Sequence, residues 1–156
     1  MSGRDTAVEA TAEVLVRAVA RGRRERVPYA GLVTPAEAWQ LQEAGVATIV
    51  DVRTRPEWEY VGRVPDSTLI EWRRYGEAER NPIFLADLAS RFGRDATLLF
   101  ICRSSVRSHH AAAIAAATGF RRAFNVLEGF EGDCDPHRQR GHLGGWRKAG
   151  LPWIQD

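Results

Sequence analysis

Cys102 stands between an apolar run, Thr97-Leu98-Leu99-Phe100-Ile101, and a short basic loop, Arg103-Ser104-Ser105-Val106-Arg107. An alanine-rich stretch, Ser108 to Thr118, follows. The pattern predicts a strand, a tight loop and a helix, with a thiol at the strand's C-terminal end. There the thiol faces loop amides, a helix N-terminus and two arginines. Each favours a thiolate over a thiol, and the thiolate is the nucleophile. A free cysteine with a pKa of about 8.5 is roughly 3% ionised at pH 7, and lowering the pKa to about 7 gives roughly half. The plainer reading is a small buried hydrophobe. The flanking arginines and hydroxyls favour chemistry.

A turn as tight as Cys102 to Arg107 curls its backbone around a centre and aims amide hydrogens at it, making an anion nest. A helix starting near Ser108 adds partial positive charge. Arg103 and Arg107 add formal charge. The elements that hold this loop repeat a helix-to-strand rhythm. Thr34-Pro35-Ala36-Glu37 reads as a cap, a first-turn proline and a capping-box glutamate. That helix ends at Gly45, and Ala47 to Val52 is a buried strand. Phe84 to Phe92 ends at Gly93 before the strand Thr97 to Ile101. The helix Ser108 to Thr118 ends at Gly119, with Phe120 as its hydrophobic C-cap contact, before the strand Ala123 to Leu127. Alternating helices and strands predict a parallel sheet covered on both faces. Ligands of such sheets bind beyond the strand C-termini, which places Asp51 and Cys102 at one edge.

Residues 6–21 predict an amphipathic helix with Val8, Ala12, Leu15, Val16 and Val19 on one face. The basic run Arg21 to Arg26 is expected to end it, as a solvated linker or, alternatively, as an anion or partner site. Residues 1–27 thus read as an N-terminal helical extension, packed on the domain or on a second copy, so a homodimer is possible. Residues 28–156 form the main domain.

The chain of 156 residues is 44% hydrophobic and 27% charged, with a net charge of +2. A domain of this size buries roughly 70% of its unfolded surface and needs no disulfides. No apolar stretch approaches the ~20 residues of a membrane span. Met1 to Thr6 lacks a signal-peptide pattern. Two cysteines, Cys102 and Cys134, are too few for a disulfide framework. The expectation is a cytoplasmic protein with free thiols and no membrane partner. Lys148 is the only lysine. The arginine excess fits either a GC-rich genome or a preference for small oxyanions. No basic stripe interleaves with aromatics, so nucleic acid is not an expected partner. Trp39, Trp58, Trp72, Trp146 and Trp153 read as core and rim packing. Of His109 and His110, one is expected to pack and one to be exposed.

Cys102-Arg103-Ser104-Ser105-Val106-Arg107-Ser108 resembles the Cys-Arg-x-Gly-x-Arg-Ser loop of rhodanese-type sulfurtransferases. Val50-Asp51-Val52-Arg53 with Glu57-Trp58-Glu59-Tyr60 is similar to the family's Asp-Val-Arg and Glu-aromatic segment. Gly62-Arg63-Val64-Pro65-Asp66-Ser67 is similar to its Gly-His-Ile-Pro-Gly-Ala turn. Asn125-Val126-Leu127-Glu128-Gly129, and later Trp146 with Gly150-Leu151-Pro152, match its closing pattern. The resemblance spans Pro28 to Trp153. It implies a three-layer rhodanese-like α/β domain with a central, mostly parallel five-stranded sheet flanked by helices. It also implies a sulfur carried as a persulfide on Cys102, cupped by Arg103, Ser104, Ser105, Val106, Arg107 and Ser108. The implied donor is thiosulfate or a related small anion. The acceptor is cyanide, a small thiol or a protein thiol, and no cofactor is needed. Asp51, Arg53 and Glu57 fall in supporting positions.

Ser105 departs from the family pattern where glycine is common, so a positive φ is in question there. A larger departure is the insertion Phe130 to Gly145, which holds Cys134, His137 and His142. It reads as a loop packed over the site. Cys134 is a possible second relay thiol. The spacing of Cys134, His137 and His142 matches no standard zinc pattern, so no metal is expected. Two other functions remain open. A cysteine phosphatase or arsenate reductase has Cys-x5-Arg, one residue longer than Cys-x4-Arg here, and the shorter ring suits a single sulfur atom. A non-enzymatic sulfur carrier or partner-binding module is the other.

Overall fold

The computed structural model describes residues 3–156, apart from the side chains of residues 4 and 5. In chain order the elements are α1 (Gly3–Glu25), β1 (Gly31–Val33), α2 (Pro35–Glu43), β2 (Thr48–Asp51), β3 (Thr68–Leu69), α3 (Phe84–Arg91), β4 (Leu98–Ile101), α4 (Val106–Ala117) and β5 (Ala123–Val126). A π-helical turn, Glu57–Val61, lies between β2 and β3. The five strands form one parallel sheet in the order β1-β5-β4-β2-β3.

Side chains on a strand alternate between faces, and here both faces are apolar, as a doubly covered sheet requires. Val50, Leu98, Phe100 and Ala123 pack with Phe84 and Leu88 of α3 and with Ala111, Ala112 and Ala115 of α4. Ile49, Leu99, Ile101, Phe124 and Val126 pack with Val14 and Ala18 of α1, with Ala38 and Leu41 of α2, and with Trp146. The result is three layers. The small residues of α4 let it lie close to the sheet. No helix among the described residues is long and apolar enough to cross a membrane.

The expected caps form. Thr34 accepts from the Glu37 amide and Glu37 reaches back to the Thr34 amide, closing the capping box. At the end of α4, Gly119 has φ 103° and the Phe120 amide donates to the Ala115 carbonyl. This is the Schellman arrangement.

Helix α1 departs from the periodicity reading in length and in rotation. It continues through the basic run to Glu25. Its buried face is Thr11, Val14, Ala18 and Gly22, while Val8 is 62% and Val16 is 69% exposed. The close approach of β1 decides the rotation. A Cβ on Gly31 would lie 2.3 Å from the Ala18 carbonyl oxygen, and one on Gly22 would lie 2.7 Å from the Gly31 Cα. Only the smallest residues fit at that crossing, so Ala18 and Gly22 face inward there, and Val8 and Val16 are turned outward. Arg21 is no linker residue. It donates to the Leu32 carbonyl of β1 and to Glu37 at the start of α2. Burial pulls the Glu37 carboxyl up, but the Arg21 bond, the Thr34 bonds and the Arg21 charge together hold it below its usual range.

Candidate functional site

Strand β4 brings Cys102 to the C-terminal edge of the sheet, where it is 1% exposed. The Ser105 amide donates to Sγ at 3.1 Å, and Ser108 Oγ lies 3.2 Å from Sγ. Helix α4 starts at Val106, two residues earlier than its sequence suggests, so Arg107 and Ser108 belong to its first turn. The first turn-closing bond runs from the His109 amide to the Ser105 carbonyl. The amides of Val106, Arg107 and Ser108 therefore form the open N-terminal end of the helix, beside the sulfur.

Ser105 precedes the helix with φ 101° and ψ −5°. A side chain in such a conformation costs about 1–3 kcal/mol. The family's glycine would be relaxed there. We expect Ser105→Gly to raise urea-unfolding stability by about 1 kcal/mol after glycine's extra backbone entropy is counted. A lower denaturation midpoint would show that the loop is not strained.

The segment after β5 clasps the outside of this loop. Gly129 has φ 69°, and a Cβ on it would sit 2.5 Å from the Arg103 carbonyl and 2.6 Å from the Ser104 nitrogen. The Phe130 amide donates to the Cys102 carbonyl at 2.8 Å, and the Glu131 and Gly132 amides donate to the Arg103 carbonyl at 3.0 and 3.2 Å. The Cys102 and Arg103 carbonyls are thereby engaged by amides of the following segment.

Arg107 gives its guanidinium to Glu57 in a fork, with Nη1–Oε1 at 2.7 Å and Nη2–Oε2 at 2.9 Å. Glu57 also accepts from the Thr54 amide and hydroxyl. Burial pulls the Glu57 carboxyl up, but the Arg107 bonds and charge, then the Thr54 bonds, outweigh it and bring its pKa down to about 2. The π-helical turn is thus pinned to α4. Asp51 and Arg53 are both 0% exposed. Arg53 Nε is 3.0 Å from both Asp51 oxygens, Nη2 is 2.6 Å from Oδ2, and Nη2 also donates to the Gly62 carbonyl at 2.7 Å. Nη1 has no hydrogen-bond partner among the described residues. The guanidinium lies 4.4 Å from the Phe130 ring centre instead. The pair braces the Cys102 loop at one remove, through the Phe130 segment that clasps it.

Cys102 opens into a cleft of about 920 Å³. Loop residues Arg103, Ser104, Val106 and Arg107 line it together with residues 73–78. From the insertion, Glu131 and Arg140 reach the cleft and Cys134 does not. Cys134 is exposed. In that insertion Asp135 accepts from the His137 and Gln139 amides and lies 2.7 Å from His142 Nδ1, which organises the loop internally. Arg73, Arg74 and Arg103 make no side-chain hydrogen bond or ion pair among the described residues. His109 is half-buried against Tyr29 and His110 is exposed.

Sequence reasoning missed the 73–78 rim, which carries no motif. It also missed Gly129 as the point of contact with the loop, although its place in Leu127-Glu128-Gly129 was a signal. Asn125 and Tyr29, which meet behind the loop, were missed as well.

A Rhodanese-like domain family model matches residues 34–135. The chain belongs to that family. The uncharacterized protein RP600 homolog of Rickettsia rickettsii is 33% identical over 113 residues, covering 69% of this chain and 82% of that protein. Thiosulfate sulfurtransferase GlpE of Actinobacillus succinogenes is 26% identical over 120 residues, covering 77% and 86%. Among solved structures, Rv0390 from M. tuberculosis superimposes with a TM-score of 0.72 at 43% identity, covering 82% of this chain and 99% of that one. The sheet and helices are those of a rhodanese-like domain, and sulfurtransferases are among its relatives.

Proposed function

We propose that the protein moves sulfane sulfur from thiosulfate or a related anionic donor to a thiol or cyanide, through a persulfide on Cys102. The observation that carries this reading is the four-residue spacing of Cys102 and Arg107 around a sulfur that already accepts an amide hydrogen bond from Ser105. In the first half-reaction the Cys102 thiolate attacks the outer sulfur of the donor. The new Sγ–S bond forms as the bond to the sulfite sulfur breaks, and sulfite leaves with the electron pair. The outer sulfur then carries the negative charge among the amides of the loop and of the first turn of α4. In the second half-reaction an acceptor thiolate or cyanide attacks that sulfur, the Sγ–S bond breaks, and the Cys102 thiolate returns.

The free guanidiniums of Arg103, Arg73 and Arg74 supply the anion attraction at the cleft. Arg107 shapes the loop through Glu57 and contributes to the field from behind. A cytoplasmic setting, where thiols stay reduced, suits this chemistry.

Intact-protein mass after exposure to thiosulfate, polysulfide and an aryl phosphate tests the reading. One added sulfur is expected from the sulfur donors. Cys102-dependent turnover of the aryl phosphate, with no sulfur added by any donor, would assign the site to phosphoryl chemistry instead.

A further inference from the structure

Behind the loop, a chain of buried polar groups runs away from the sulfur. Ser108 Oγ is 2.6 Å from Asn125 Oδ1. Asn125 Nδ2 donates to the Ser105 carbonyl at 3.2 Å and to Tyr29 Oη at 3.4 Å. Tyr29 Oη is 2.6 Å from His109 Nδ1. Cys102, Ser108 and Asn125 are 1%, 0% and 3% exposed.

Donors and acceptors can be assigned along this chain. A carbonyl only accepts, so Ser105 fixes the Asn125 amide nitrogen toward itself and the amide oxygen toward Ser108. That oxygen also only accepts, so the single hydroxyl hydrogen of Ser108 belongs to it. Burial holds the Tyr29 hydroxyl protonated. Burial, and then His110, hold His109 toward its neutral form, and in the Nε2–H tautomer its Nδ1 accepts the phenol hydrogen. The whole chain is then satisfied in one direction.

We propose that Asn125 is a positioning residue for the sulfur site: it turns the Ser108 hydrogen away from Sγ, so that Ser108 presents a lone pair to the sulfur. Ser108 accepts the thiol hydrogen rather than donating to the thiolate. The proposal rests on the persulfide reading for its meaning. In a persulfide the charge sits on the outer sulfur, among the amides, and Sγ is a neutral bridging atom. A lone pair beside Sγ is unfavourable for the bare thiolate and harmless to the persulfide. The same Asn125 amide holds the Ser105 carbonyl, and with it the strained turn.

Alkylation of Cys102 by iodoacetamide, followed between about pH 5 and 9, tests this without any sulfur donor. Its outcome is therefore independent of whether thiosulfate is the substrate. The charged groups near Sγ stay constant across the variants. They are Arg103 in the loop, the Arg107–Glu57 pair from α4 and the π-helical turn, and the Asp51–Arg53 pair at the end of β2. Glu131, Arg140, Arg73, Arg74 and Glu77 also line the cleft. Ser108→Ala is expected to speed alkylation at pH 7 on the order of two- to fivefold and to move the rate profile to lower pH, because a hydrogen bond to the thiol is lost. An equal or slower rate would show that Ser108 does not hold the thiol hydrogen. In an Asn125→Ala background the hydroxyl is free to turn to the sulfur, so adding Ser108→Ala should now slow alkylation. If Ser108→Ala acts with the same sign in both backgrounds, Asn125 does not direct it.

Discussion

Cys102→Ser is expected to abolish sulfur transfer, with turnover falling by at least about 10³-fold and no sulfur retained on the protein after thiosulfate. The serine oxygen is a weaker nucleophile and cannot form a persulfide. Its fold should be unchanged, since the substitution removes one buried sulfur and keeps the Ser105 and Ser108 contacts within reach. Cys134→Ser should leave transfer intact, because Cys134 is exposed and does not line the cleft. Measured together by intact mass and steady-state turnover, the two variants separate a single-thiol mechanism from a relay. Added sulfur that survives on Cys102→Ser would refute the assignment. Loss of turnover in Cys134→Ser would restore the relay.

Asp51→Ala should be among the most destabilising substitutions in the chain, by about 3–5 kcal/mol in urea unfolding. It leaves the Arg53 guanidinium fully buried with, among the described residues, the Gly62 carbonyl, the Phe130 ring and the more distant Glu57 and Glu131 charges. Burial alone pulls the Arg53 pKa down, and the Asp51 charge and bonds outweigh it and keep the group charged. Replacing both residues with apolar ones, Asp51→Val with Arg53→Met, should destabilise less than Asp51→Ala alone, because no unpaired charge stays inside. A single-variant loss under about 1 kcal/mol would mean that water reaches Arg53 and the pair is not the brace described here.

The layers of the fold were legible because the chain punctuates them clearly. Thr34, Pro35, Glu37, Gly45, Gly119 and Phe120 each satisfy a local backbone requirement that needs no tertiary knowledge. The position of Cys102 followed from the strand-to-loop transition. The doubt over Ser105 was also readable, and its φ of 101° shows the backbone conformation that glycine would relax. What was not legible depends on contacts distant in sequence. The rotation of α1 is set by the Gly22–Gly31 crossing, which outweighs the helix's own apolar periodicity. The commitment of Arg107 to Glu57 joins residues fifty positions apart. The sequence neighbours of Arg107 give no sign of that partner, which the π-helical turn supplies. Asn125 looked like part of a closing motif, and its hydrogen-bonding duties appear only once β5 lies beside β4.

The bond from Arg21 to the Leu32 carbonyl has a consequence for how copies of this chain behave in a crowded solution. Strand β1 ends the sheet on one side, and terminal strands offer unpaired backbone groups to any passing extended peptide. Here an outward acceptor is already occupied by a side chain from α1, and β3 at the opposite margin is only two residues long. Neither border is a good template for another molecule's strand, so the helix that precedes the sheet also protects it from runaway polymerisation.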